Sequence, residues 1–166
     1  ARFGRMSDPR ACWAPAPHRP TVSLALIREF RYEYAAVSPW DGALDFMTAE
    51  KMNTESMSCF LKQVSQAHPE EFIVMILDGA SSHRSKELKV PVNVSLVPLP
   101  PYSPELNPVE LIWNMLRLNY FTNRVFDSLD AATQQAENGL GNMAADRNAM
   151  KSLTNWPWIN VISKAN

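Results

Sequence analysis

The chain has 166 residues, 46% hydrophobic and 20% charged, enough for one ordinary globular core and too few for two. Sixteen Lys and Arg stand against 17 Asp and Glu, a net charge of -1, so a whole-chain basic footprint for nucleic acid is absent. No run approaches the roughly 18 apolar residues of a membrane-spanning helix, and Ala1 to Arg10 holds three arginines with no apolar stretch behind them, so neither a span nor a signal peptide is expected.

In chain order, Pro9, Pro15, Pro17 and Pro20 forbid helix and predict an extended, edge-like segment. From Val22 to Val37 the pattern turns β-like, with Phe30, Tyr32 and Tyr34 alternating with Arg31 and Glu33. Ser38 to Gly42 supplies turn chemistry before a second strand, Ala43 to Met47, which predicts a hairpin. Asn53 and Thr54 are competent N-caps, and Met57, Phe60, Leu61 and Val64 put one apolar stripe on the helix that follows, stopped by Pro69. Phe72 to Leu77 is apolar throughout, as in a strand covered on both faces by helices, and it ends in Asp78-Gly79. Ser85 to Leu88 is read as a short helix and Val94 to Val97 as a strand, the segment between serving as a crossover of parallel strands. Six prolines from Pro91 to Pro108 then impose an extended loop. Asn107-Pro108-Val109-Glu110 reads as a helix start, with Val109, Ile112, Trp113, Leu116 and Tyr120 on the buried side. A further helix from about Ser128 to Ala145 is interrupted by Gly139 and Gly141.

Charge is unevenly spread. Residues 1–35 carry six Arg against three acids (+3), residues 36–112 five bases against ten acids (-5), and residues 113–166 five against four (+1). An acidic centre between basic ends fits a metal site with polyanion-holding arms, and equally a solvated acidic face. Asp78 stands at the carboxyl end of the most buried strand, where open α/β sheets present their ligands, and Glu110 stands in the first turn of a helix behind a stiff loop. Two such carboxylates converging on one sheet edge would suit Mg²⁺ or Mn²⁺ and phosphoryl transfer. Taken singly, Asp78 also reads as a strand terminator and Glu110 as the return half of a capping box. Asp8, Asp41 and Asp45 have ordinary turn or strand explanations, and Trp156 and Trp158 read as tethers of the carboxyl end before base-stacking residues. Cys12 and Cys59 lie far apart with no CxxC spacing, which suits a reducing compartment.

LDGASSH (Leu77 to His83) followed by LPPYSPELNPVELIW (Leu99 to Trp113) resembles the catalytic core of DDE transposases, specifically bacterial insertion-sequence transposases related to the mariner superfamily. The resemblance extends to ARFGR, CWAP, YEYAAVSPWDG, RVFDSLD and the terminal NWPWI, nearly the whole chain. It implies an α/β, ribonuclease-H-like mixed sheet flanked by helices, in which three acids hold two Mg²⁺ or Mn²⁺ ions. By that pattern Asp78 is the second acid and Glu110 the third, with 31 residues between them. The first acid in relatives lies in an Asp-Glu pair immediately before the residues matching Ala1 to Gly4. The expectation is therefore a single, amino-terminally truncated catalytic domain over 1–166, lacking its first strand and an upstream helix-turn-helix domain, and inactive alone. His83, Tyr102 and Asn107 are candidates for contacting DNA or shaping the site. DNA, as transposon ends and target, is the implied partner, the full-length protein a homodimer, and the location the bacterial cytoplasm at the nucleoid. Rival readings are a ribonuclease-H-like nuclease and a degenerate remnant that only binds DNA or protein.

Overall fold

Arg2–Met6 forms the first strand, β1, in the computed structural model, which describes residues 1–78, 85, 87–101 and 103–159. The sequence carries no start signal there, since five residues hold too little alternation to reveal a strand. Pairing supplies the order: β1 runs antiparallel to β2 (Leu26–Val37), with Arg2 opposite Tyr32 and Gly4 opposite Phe30. A Cβ on Gly4 would strike the Glu29 carbonyl. The proline-rich segment between the two strands is an exposed, irregular arm, as its composition predicts.

The predicted hairpin is present: β2 pairs antiparallel with β3 (Leu44–Ala49) around a turn closed by Gly42 at φ 73°. Alternation along β2 serves two cores. Tyr34 and Ala36 face one cluster, with Met57, Phe60, Leu61 and Val64 of α1 (Thr54–Ala67). Ala35 and Val37 face the other, with Phe3, Ile112, Trp113 and Leu116. Asn53 caps α1 by accepting from the Ser56 amide at 2.9 Å, and the four stripe residues are each at most 3% exposed, contributing about 1.5–3 kcal/mol apiece. At the other end Asn93 donates to the carbonyls of His68 and Glu71 at 3.2 Å each and accepts from Ser65 Oγ at 2.6 Å, so one amide closes the terminus.

Strands β4 (Ile73–Leu77) and β5 (Val94–Pro98) pair in parallel, as the crossover pattern predicts. The expected cover on both faces is not there: Phe72, Val74 and Ile76 are 68, 58 and 40% exposed, while Leu77 is buried. Among the described residues the strands form a three-stranded sheet, β1-β2-β3, and a separate pair, β4-β5. Lys86 lies outside the described residues, and of the short helix expected at Ser85 to Leu88 the structure shows a turn in which the Leu88 amide donates to the Ser85 carbonyl at 3.2 Å. No helix among the described residues is long and apolar enough to cross a membrane.

A 3-10 turn, Pro104–Leu106, leads into α2 (Val109–Leu116), which ends in a π-turn, Arg117–Phe121. The expected stripe is present: Ile112, Trp113 and Leu116 are buried, Val109 and Tyr120 pack partly buried against the same core, and the wider turn, which inserts one residue, brings Phe121 into it as well. Helix α3 (Leu129–Ala145) runs through Gly139 and Gly141 without a break, capped by Ser128 on the Ala131 amide. A further helix, α4 (Arg147–Thr154), capped by Asp146, has no counterpart in the sequence expectations, its buried side being only Met150 and Thr154.

Gly139 is buried where α3 meets α2: a Cβ there would collide with Leu116 Cδ1 and come 3.0 Å from the Tyr120 ring, whereas one on Gly141 meets nothing within 4 Å. The same substitution should thus have opposite signs two residues apart. Gly139→Ala is expected to cost about 1–3 kcal/mol despite its better helix propensity, and Gly141→Ala to add about 0.5–1 kcal/mol. Urea melts of the two variants check this.

Glu33 is 1% exposed; Oε2 accepts from Thr48 Oγ1 at 2.9 Å, and Oε1 is buried without a partner among the described residues. Burial pushes its pKa from 4.5 up to about 7, against the pull of the Thr48 hydroxyl and aided by the charge of Glu137. The folded state thus binds a proton more tightly than the unfolded one. The stability this carboxyl contributes is present below about pH 4.5 and lost as pH rises through about 7. The Ala1 amino group acts oppositely: burial depresses its pKa from 8.0 to about 6, so its cost is relieved over that interval. Glu33→Gln should remove the carboxyl slope and leave the amino one. Relative to the parent it should be more stable at pH 8 by on the order of 2 kcal/mol and indistinguishable near pH 4, measured by denaturant melts at the two pH values.

Candidate metal-binding and catalytic site

Position along β4 determines where Asp78 points. Leu77 is buried in the α1 core, so its neighbour projects to the other side of the strand, and Asp78 is exposed there. The Leu99 amide donates to the Leu77 carbonyl at 2.8 Å, which extends the β4-β5 ladder to the residue before the carboxylate.

Glu110 reaches the same region from a helix start. The proline-rich loop is stiff, and Asn107 fastens its end: Oδ1 accepts from the Val109 amide at 3.2 Å and the carbonyl from the Glu110 amide at 3.1 Å. Asn107 is thus a local cap, placed one residue earlier than a regular N-cap because Pro108 already has helical dihedrals. With Ile112 and Trp113 buried, Glu110 lies on the exposed side of α2.

The two carboxylates line one cleft of about 790 Å³, together with Ala1, Glu33, Asn107 and Trp158. Both acids act on one neighbouring group. The Ala1 amino group, whose pKa is lowered chiefly by burial, is pulled back up by Glu110, then Glu33, and more weakly Asp78. Hard oxygen donors of this kind suit a small divalent cation. Two are fewer than a closed site requires, and no group of three or more His, Cys, Asp or Glu among the described residues could hold a metal ion.

The other acids have occupations. Asp8 Oδ2 accepts from Arg10 Nε at 3.1 Å, Asp41 accepts from the Ala43 amide at 3.3 Å and from Arg147 at 3.4 Å, and Asp45 pairs with His68 Nε2 at 2.9 Å. His83 and Tyr102 lie outside the described residues. Trp156 and Trp158 stack edge to face with centroids 6.4 Å apart, and Ile159 beside them is 4% exposed. Sequence reasoning missed Glu33 as a cleft residue. It looks like the polar half of an amphipathic strand, and nothing local reveals that α3 covers that half. Cys12 and Cys59 are both free and exposed.

A Sinorhizobium fredii (strain NBRC 101917 / NGR234) protein, y4pE/y4sA, is 39% identical over 100 residues, which cover 60% of this chain and 74% of that one. Two solved structures are similar in fold: the Mos1 transposase paired-end complex with left transposon end (TM-score 0.58) and the Mos1 strand transfer complex (TM-score 0.57). Each is 12% identical; the matches cover 94% and 95% of this chain and 54% of theirs, so the chain spans about half the length of those transposase chains. The fold is α/β and ribonuclease-H-like. The model of the DDE superfamily endonucleases matches residues 3–133, most of the sequence, and the chain belongs to that family.

Proposed function

We propose that this chain is the catalytic domain of a DNA transposase, cutting and joining phosphodiesters by in-line attack with the help of Mg²⁺ or Mn²⁺. The observation that supports the reading is that Asp78, from a strand end, and Glu110, from a helix start, line one cleft while both stay exposed. DDE endonucleases use divalent metal ions. Asp78 and Glu110 would be the ligands here, with two ions in a complete site, where bound metal would polarise the phosphate and lower the pKa of an attacking hydroxyl. The chain's own contribution is positional. The β4-β5 ladder would hold Asp78, and the Asn107 cap and the buried face of α2 would hold Glu110, at the edge of the cleft.

DNA is the proposed partner, as transposon ends and target, with a homodimer in the full-length protein and sequence specificity in a domain outside this chain. The basic residues of the amino-terminal third would contact phosphate without reading bases, so binding by this chain should be weak, indifferent to sequence and strongly reduced by salt. With two acids in place of three, the chain alone is expected to be catalytically silent.

Titration with Mn²⁺ should show weak binding that Asp78→Asn or Glu110→Gln each weaken by about tenfold. Metal-dependent nicking of transposon-end DNA should be absent in this chain and present in one extended upstream by the family's Asp-Glu pair. Strand joining by the extended form would separate a transposase from a nuclease. Mn²⁺ affinity unmoved by either substitution, or DNA binding without cleavage in the extended form, would overturn the catalytic reading. Robust cleavage by the short chain would show that another acid completes the site.

A further inference from the structure

Glu110 opens α2, and Arg117 follows it where the π-turn begins. Seven residues make two helical turns, so the two side chains leave the helix within about 20° of each other and about 10.5 Å apart along its axis. Between them on the same side stands the exposed Asn114. The Arg117 guanidinium lies over the Phe3 ring, 5.3 Å from its centroid, and that ring is fixed in turn by Phe121 and Trp113, at centroid distances of 4.9 and 6.1 Å. The main chain is pinned too: the Arg117 carbonyl accepts from the Thr122 amide at 2.9 Å and from the Thr122 hydroxyl at 3.1 Å. What the half-buried guanidinium lacks is an anion. Arg5, Arg10, Arg31 and Arg147 each pair with a carboxylate, whereas Arg117 makes no salt bridge among the described residues. Its charge reaches the cleft. The Ala1 amino group, whose pKa is lowered chiefly by burial, is lowered further by Arg117, against the pull of Glu110, Glu33 and Asp78.

Covering the aromatic cluster is the simpler role for this residue, but it needs only the stem. A charge held half out of water is a cost, which the ring face offsets in part while leaving the guanidinium edge and its N–H donors free. The cleft has the opposite need, since Asp78, Glu110 and Glu33 line it and repel a polyanion. We propose that Arg117 grips a backbone phosphate of the DNA strand about one or two nucleotides from the bond to be cut. Resting on the transposase reading, this gives the same site its register on the strand. A strand rises about 3.4 Å per nucleotide while its phosphates also wind about the axis, so a span of about 10.5 Å from Glu110 ends on a neighbour of the reacting phosphate. The fork of N–H donors suits two parallel bonds to phosphate oxygens. Arg117 takes no part in breaking the bond; it is a positioning residue.

Anisotropy of a labelled nicked duplex, titrated with the 166-residue chain over a series of salt concentrations, reads the contact. Arg117→Met keeps a stem over Phe3 and removes the charge. Its urea midpoint should match the parent's, while the slope of log affinity against log salt should become shallower by about 0.9, the loss of one phosphate contact. Arg117→Lys should recover the slope and only part of the affinity, because a point charge does not reproduce the paired bonds. Arg147→Gln, which removes a charge already matched by Asp41, should keep the parent's slope. Position is read in the chain extended upstream by the family's Asp-Glu pair. A neutral methylphosphonate about one or two nucleotides from the cut should slow nicking by the parent about tenfold and slow the Arg117→Met form no further. Equal salt slopes in parent and Arg117→Met, a loss that lysine does not restore, or additive losses at every phosphate would overturn the proposal. Absence of nicking by the extended form counts against the transposase reading instead, since the salt slopes report binding alone.

Discussion

Helix α2 has eight residues, and three of them, Ile112, Trp113 and Leu116, are sealed against Phe3 of β1, Leu44 of β3 and the Ala132, Ala136 and Leu140 face of α3. That burial fixes the rotation of the helix about its axis. Each residue turns about 100°, so sliding the register one position in one direction would put Asn114 and Arg117 in the places of Trp113 and Leu116, a loss of several kcal/mol, and in the other would repack the core with Leu111, Ile112 and Met115. Glu110 owes its direction to this constraint, not to any bond its carboxylate makes. The arrangement separates the groups that hold the helix from the group that faces the cleft, and a ligand can engage that group without disturbing the fold.

Legibility in the sequence followed burial. Helix α1 could be read residue by residue because one face is solvent and the other is core, and the cap Asn53 has a local partner three residues on. The β2-β3 hairpin is legible for the same reason, and Asp78 and Glu110 are candidates read from a motif whose residues lie close together in the chain. What was lost depends on contacts far apart. Strand β1 exists through pairing with residues about 25 positions away, and Gly139 persists in a helix because Leu116 and Tyr120 leave no room for a larger side chain. Glu33 looks solvent-facing until α3 covers it, and a continuous apolar run at Phe72–Leu77 overstated the cover on β4.

Two cores on opposite faces of one strand impose their own demand on β2. Residues of one parity belong to the α1 cluster and those of the other to the α2-α3 cluster, so a slip of one residue against β3 would exchange the two sets completely. Tyr34 could not enter the space that holds Ala35 without a clash, and Ala35 in place of Tyr34 would leave a void beside Phe60, whose ring centroid is 5.7 Å from that of Tyr34. The contrast in side-chain size along the strand serves as a register lock.

The π-turn at Arg117–Phe121, closed by the Thr122 amide on the Arg117 carbonyl at 2.9 Å, spans with one extra residue the path an α-turn would take. Such a turn is what a single inserted residue leaves behind when the flanks on both sides are held too firmly to rotate. Leu116 before it and Phe121 after it are both buried, 0% and 7% exposed, which is the condition for trapping an insertion. Members of this lineage one residue shorter at this place could keep both anchors and carry an unbroken α-helix, so an alignment gap here would mark a length change absorbed inside a helix, where gaps are ordinarily penalised, and not a change of fold.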